Sequence, residues 1–225
     1  VQLERYHQKQ RAEALMDNGV TLADANRIDI RGDLVVGQDS YIDVNCIFEG
    51  SVVIGDNVEL GPNCYLKNCK IGEGTEVLAN SVIEDGVIGQ WCSIGPFARV
   101  RPGSVLKDKS KLGNFVETKN STIGEGSKVN HLSYVGDCEM GDDVNVGAGT
   151  ITCNYDGANK HKTIIKDKVF VGSNTSLVAP ITVGENATIG AGSTLSNDVP
   201  ADQLTYARAK ARSTSAWQRP VKTKR

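Results

Sequence analysis

A large aliphatic side chain recurs every six residues along most of this chain. From Val36 the series runs Ile42, Phe48, Ile54, Leu60 and Leu66. It then slips by one residue to Ile71, Val77 and Ile83, and slips again to Ile88, Ile94, Val100, Leu106 and Leu112. After Thr118, its one polar member, it continues as Ile123, Val129, Val135, Met140 and Val146. A last run reads Val171, Leu177, Val183, Ile189 and Leu195. Two residues before each member stands a second, small or β-branched residue; Leu34 is the exception, and Ile181 is β-branched but large. Strand residues two apart share a face, so both tracks point inward and the residue between them points out. A hexad with a large and a small inward position is the mark of a parallel β-helix. The glycine that often follows the aliphatic (Gly55, Gly61, Gly95, Gly147, Gly190) suits a tight corner where a Cβ would be costly. Three hexads per coil account for eighteen-residue gaps such as Gly37 to Gly55. No helical stretches separate the strands, as a βαβ sheet would require. Periodicity does not carry handedness, and the general crossover rule favours the right hand.

The pattern stops at both ends and is interrupted once. Residues 1–19 read as a linker helix, with Leu3, Tyr6, Leu15 and Met16 near helical spacing and Asn18-Gly19 as its stop. Residues 20–199 form the β-helix, and 200–225 a tail. From Gln203 on, that tail has seven basic residues and no acidic one. Between Val146 and Val171 the spacing is twenty-five, which places an inserted loop at 152–165 around TCNYDGANKHKT. Loops on a rigid scaffold are where function concentrates. The basic residues from Lys222 on read as a plain solubilising end.

Composition narrows the function classes. The chain is 39% hydrophobic, 5% aromatic and 23% charged, with net charge −2. That balance argues against a nucleic-acid partner, which needs a basic surface. No apolar run reaches the ~18 residues of a membrane span, and no signal peptide opens the chain; a cytoplasmic protein is expected. Starting at Val1 inside a helix, the chain reads as a fragment of something longer. Five of the six cysteines (Cys46, Cys64, Cys69, Cys92, Cys138) fall on the small inward track, as buried free cysteines do. Cys153 lies off it. No zinc spacing is present, and disulfides are the poorer expectation.

The stretch KVNHLSYVGD holds the most suggestive chemistry. With Val129, Ser133 and Val135 inward, His131 sits two past a core aliphatic, off the core and near a corner. A plain surface histidine is the alternative reading; His7 and His161 read as surface residues. Arg101 and Lys119 directly follow core positions on neighbouring coils, and Tyr134 and Asn145 directly precede them. Two cations, a phenol and an amide near a histidine suit an anionic, hydroxylated ligand such as a sugar phosphate, against simple solvation of surface charges.

The segments IGPFARVRPG, GNFVETKN, SKVNHLSYVGD, VNVGAGTITCNYDGANKHKT and VFVGSNTSLVAP closely resemble one family over nearly the whole chain, down to WQRPVKTKR. It is the C-terminal half of the bacterial bifunctional N-acetylglucosamine-1-phosphate uridyltransferase/glucosamine-1-phosphate N-acetyltransferases. The resemblance implies a left-handed parallel β-helix, all-β apart from its helix, assembled as a homotrimer with active sites between subunits. It implies transfer of acetyl from acetyl-CoA to glucosamine-1-phosphate, in the route to UDP-GlcNAc, peptidoglycan and lipopolysaccharide. His131 takes the place of the general base. Arg101, Lys119, Tyr134 and Asn145 match sugar-phosphate contacts; Ala148, Asn154, Tyr155, Ser173, Ala191 and Arg208 match acetyl-CoA contacts. A backbone N–H near Ala148 is the implied oxyanion donor, and Glu117 is one candidate to orient His131. Ala148, Ser173 and Ala191 share His131's phase in the repeat, an observation independent of the resemblance. No Gly-rich nucleotide loop precedes the helix, so no uridyltransferase activity and no metal are expected here. Cys153 has no evident partner base, which favours direct transfer over an acyl-enzyme. The rival readings are a non-catalytic trimerisation module of a sugar-nucleotide pyrophosphorylase, and hexapeptide enzymes acting on other acceptors. A zinc carbonic anhydrase needs three converging histidines.

Overall fold

The computed structural model describes residues 1–215, 217–219 and 221. The stretch from Lys222 on, read as a solubilising end, lies outside the described residues. Short parallel strands stack coil upon coil into a left-handed β-helix with three faces. One face is an 11-stranded ladder from Thr21–Leu22 to Leu204–Thr205. The other two belong to a 16-stranded sheet and diverge from the strand Tyr65–Ile71. One continues through Arg99–Val100, Glu117–Lys119, Tyr134–Gly136 and Ile151–Cys153; the other runs through Val105–Leu106, Thr122–Ile123, Cys138–Met140 and Thr163–Ile165.

The large inward track is buried from Ile42 to Leu195, Thr118 included, and only Val36 on the first coil is half-exposed. The small track is buried with it, and its hydroxyls stitch neighbouring coils. Ser127 Oγ donates to Gly141 O (2.7 Å) and accepts from Val144 N (2.9 Å); Ser40 does the same toward Gly55 and Val58. Buried hydroxyls need such partners. Glycines after the aliphatics are required mainly by close approach: a Cβ on Gly147 would meet Ser173 N at 2.5 Å. Gly95 apart (φ 99°), left-handed backbone falls instead on corner columns such as Asn63, Asn80, Phe97, Phe115, Leu132 and Gly149.

The N-terminal helix Gln2–Asp17 packs differently from its apolar pattern. Leu3, Tyr6 and Met16 are exposed, and the buried residues are Gln8, Ala12 and Leu15. The cause is the open edge of the first long strand, Ile28–Val36. Gln8 accepts from Ile30 N (2.9 Å) and donates to Ile30 O (3.0 Å), while Arg11 donates to Gly32 O (2.6 Å). Unpaired strand edges need such cover. At the other end the ladder outlasts the hexads: Leu204–Thr205, inside the stretch read as tail, pairs with Thr188–Ile189. No described helix is long and apolar enough to cross a membrane.

Candidate active site

Two groups of side chains flank one corner of the β-helix. The first lies on the face of Arg99–Val100, Glu117–Lys119 and Tyr134–Gly136. Parallel register aligns Arg99, Glu117 and Tyr134, and in the column beside it Lys119 aligns with Gly136. Arg101 pairs with Glu117 (Nη1–Oε1 2.7 Å), both about one-third exposed. Glu117 is thereby bound to the arginine; it is not the partner of His131. The Tyr134 ring lies along its own strand over Gly136, where a Cβ would strike the phenol. Lys119 holds its proton less tightly than an ordinary lysine. The main cause is direct contact with the Lys160 amine, then the charges of Lys160 and Arg101. Lys160 comes from the inserted loop, and local spacing gave no sign that it would reach Lys119.

The second group runs along the 11-stranded face. Asn114 aligns with His131, and Val129, Val146, Val171 and Ile189 align in turn, so Ala148, Ser173 and Ala191 continue the column above His131. His131 is exposed, and its Nδ1 lies 2.6 Å from Asn114 Oδ1. Asn114 carried a readable signal, since it sits two past Leu112 in the same phase as His131. The sequence reading passed over it. Asn145 stands on this face, in the coil after His131. Arg208 ends the column, donating to Ala191 O (2.9 Å) and lying 5.5 Å from the Tyr206 ring centre. Among the described residues, no hydrogen bond or ion pair joins His131 to Arg101, Lys119, Tyr134 or Asn145.

The inserted loop is narrower than its sequence limits, because Ile151–Cys153 and Thr163–Ile165 both stay in the ladders. Thr152 and Ile165 fill the large track there, and the loop proper is 154–162. Asn154 is buried, with its amide on Asp137 (2.5 Å), whose other oxygen accepts from Asn120 (2.6 Å). Burial alone would raise the Asp137 carboxyl, but these two amides, then Lys160 and Lys119, hold it below its usual range. The Asn154 side chain therefore anchors the loop. Tyr155 is exposed, donates to Gly157 O (2.7 Å) and bridges to Lys160. Asp156 organises the turn by accepting from Asn159 N (2.6 Å), Ala158 N (2.8 Å) and the His161 ring (Nε2, 2.7 Å). Its carboxyl is pushed far down, chiefly by the Asn159 N–H.

Burial pushes the Cys69 and Cys138 thiols up to about 12, which makes these two poor nucleophiles. Cys153 is half-buried, 3.9 Å from Ile151 O. Among the described residues no cluster of three metal-ligating side chains is found.

Comparison with known proteins agrees with this architecture. Residues 30–114 match the family described as "GMPPB C-terminal domain", and residues 162–197 match "Bacterial transferase hexapeptide (six repeats)". The bifunctional protein GlmU of Marinomonas sp. is 62% identical over 220 residues, covering 98% of this chain and 49% of that protein. GlmU of Marinobacter nauticus is 59% identical over 221 residues, again 98% and 49%; that of Methylococcus capsulatus is 58% identical over 225 residues, 100% and 49%. The chain spans about half the length of these relatives. It belongs to the GlmU family, as its C-terminal, hexapeptide-repeat half.

Proposed function

We propose that this chain transfers the acetyl group of acetyl-CoA to the amine of glucosamine-1-phosphate, giving N-acetylglucosamine-1-phosphate and free CoA. The observation that carries the reading is the meeting of Lys119 and Lys160 beside Arg101. Like charges in contact are costly, and an oxyanion seated among them relieves that cost. A sugar phosphate supplies such a group, with a hydroxylated ring for Tyr134 and Asn145. Anchoring the phosphate orients the amine, an entropic contribution.

The lone pair of the neutral acceptor amine attacks the thioester carbon, and His131 accepts the proton that the nitrogen gives up as the N–C bond forms. In this reading a backbone N–H near Ala148, next in the His131 column, donates to the oxyanion that develops on the thioester carbonyl. The C–S bond breaks as the amide forms, and the CoA thiolate leaves, taking up the proton. The donor fits the column itself. Ala148, Ser173 and Ala191 make a strip of small side chains with a cation at its end, which an extended ligand with an anionic terminus can follow.

Family likeness further suggests a homotrimer with sites between subunits. In support, the corner between the two groups carries Phe97, Phe115 and Leu132 in left-handed backbone, exposed by 49%, 55% and 63%. The Phe97 and Phe115 rings stack at 5.3 Å. Exposed apolar patches mark interaction surfaces, and in this reading the ridge is the surface that another copy covers.

The test is CoA release with glucosamine-1-phosphate, with plain glucosamine and with His131→Ala. Turnover should need the phosphate and fall on the order of 10²–10⁴-fold in the variant, the range of a general base. Full turnover in a folded His131→Ala protein would remove the base from the mechanism, and equal use of glucosamine would remove the phosphate site.

A further inference from the structure

We infer that Asn114 is the positioning residue of His131, fixing the ring tautomer that leaves Nε2 free to take a proton. The inference rests on the reading of His131 as base and adds to it the group that prepares the base.

Asn114 ends the strand Lys111–Asn114, directly beneath His131 in parallel register, and the two backbones are joined by Leu132 N donating to Asn114 O (3.1 Å). The Asn114 amide oxygen faces Nδ1 at 2.6 Å. An amide oxygen only accepts, so Nδ1 carries the hydrogen and Nε2 holds the lone pair. The reverse amide orientation would have Nδ2 donate to Nδ1. That would put the ring hydrogen on Nε2 and leave no base toward the substrate side. The His131 carbonyl accepts from Ser133 Oγ (2.8 Å) and Gly149 N (3.3 Å), so the backbone under the ring is held as well. A base oriented by a third group is a recurring design. Here the third group is an amide, which orients the ring without bringing a charge.

The protein contains its own control. His161 meets the Asp156 carboxylate through Nε2 at 2.7 Å, so its ring hydrogen lies on the opposite nitrogen. With only three histidines in the chain, the rings can be assigned one by one.

The experiment is ¹⁵N NMR of the imidazole rings in the whole chain, above the pH at which they bind a second proton, together with steady-state kinetics. The expected result is a pyrrole-type Nδ1 and a pyridine-type Nε2 in His131, with the reverse in His161. In Asn114→Leu, His131 should shift toward the Nε2–H form. Its kcat should drop about 10- to 100-fold, part of the 10²–10⁴ a general base provides, with KM for glucosamine-1-phosphate unchanged. Asn114→Asp retains the acceptor and should retain both tautomer and most of kcat. If the leucine side chain strains the corner, as judged by circular dichroism, Asn114→Ala takes its place. A wild-type His131 with its hydrogen on Nε2 overturns the inference, as does a leucine variant with unchanged tautomer and kcat. Full turnover by His131→Ala sinks the base assignment itself. An inactive His131→Ala beside a fully active Asn114→Leu sinks only the role of Asn114.

Discussion

The coils on either side of the inserted loop and the coil that carries it obey the same packing rule with opposite results. In the regular coils almost every residue serves the stack, either as one of the two inward tracks or in cross-coil pairs such as Glu49–Lys67 (2.6 Å). The interrupted coil keeps its inward residues, Thr152 and Ile165, and its strands remain in register. Between them, residues 154–162 bury little beyond Asn154 and close on themselves around Asp156. A solenoid needs only that each coil return to its place in the ladder, so extra chain can leave and rejoin without cost to the core. The regular coils thus supply rigidity and columns of positions, and the interrupted coil supplies a cation where no hexad could put one.

The sharpest test of that contrast removes core from a regular coil. Leu112 is fully buried just before Gly113 and Asn114; Leu112→Ala should cost about 2–5 kcal/mol in denaturant unfolding. A loss below ~1 kcal/mol would show that the coil relaxes, contrary to a close-packed stack. Lys160→Ala should leave stability unchanged while raising KM for the phosphorylated acceptor roughly tenfold, about 1.4 kcal/mol. It also has a pH signature. Lys119 now gives up its proton at lower pH than an ordinary lysine, because Lys160 and Arg101 repel its charge. If Lys119 holds the acceptor's phosphate as proposed, acceptor affinity should fall early on the alkaline side, and removing Lys160 should move that fall to higher pH. An unmoved alkaline limb would separate Lys119 from phosphate binding.

A smaller effect is expected at Thr163, whose buried Oγ1 is the one such side-chain atom without a hydrogen-bond partner among the described residues. Thr163→Val should stabilise the protein by about 1 kcal/mol, since an unsatisfied buried hydroxyl is a cost; a lower thermal midpoint would contradict this. The smallest global effect belongs to Asp156→Ala. The carboxylate is depressed in the folded loop, so what it contributes is present above the unfolded value near ~4 and lost only as pH falls through the lower folded value. Limited proteolysis should find 154–162 opened in the variant with the thermal midpoint unchanged, whereas the wild-type loop stays closed at pH ~4. A fall in the midpoint would tie the loop to the core.

Much of the fold was legible because the hexad is a local pattern repeated many times. Each inward residue is specified by its neighbours two and six positions away, and the burial of the large track from Ile42 on follows. The N-terminal helix was misread at its face, since apolar spacing ignores what the partner surface offers. The first coil presents unpaired N–H and C=O groups, and Gln8 and Arg11 answer them. His131 was visible from its phase. Asn114 had the same phase and was missed, because pairing them requires knowing that this coil is one residue short of eighteen.

What the sequence determined by itself was the inward–outward alternation, the three-sided coil and the column of positions two past each core aliphatic, because these depend only on short-range periodicity. The tertiary structure decided which of those positions touch: Asn114 under His131, Glu117 on Arg101, and Lys160 against Lys119. Those contacts depend on coil lengths that vary by a residue and on a loop that folds back across the ladder. Neither quantity is periodic, and only the assembled register fixes them.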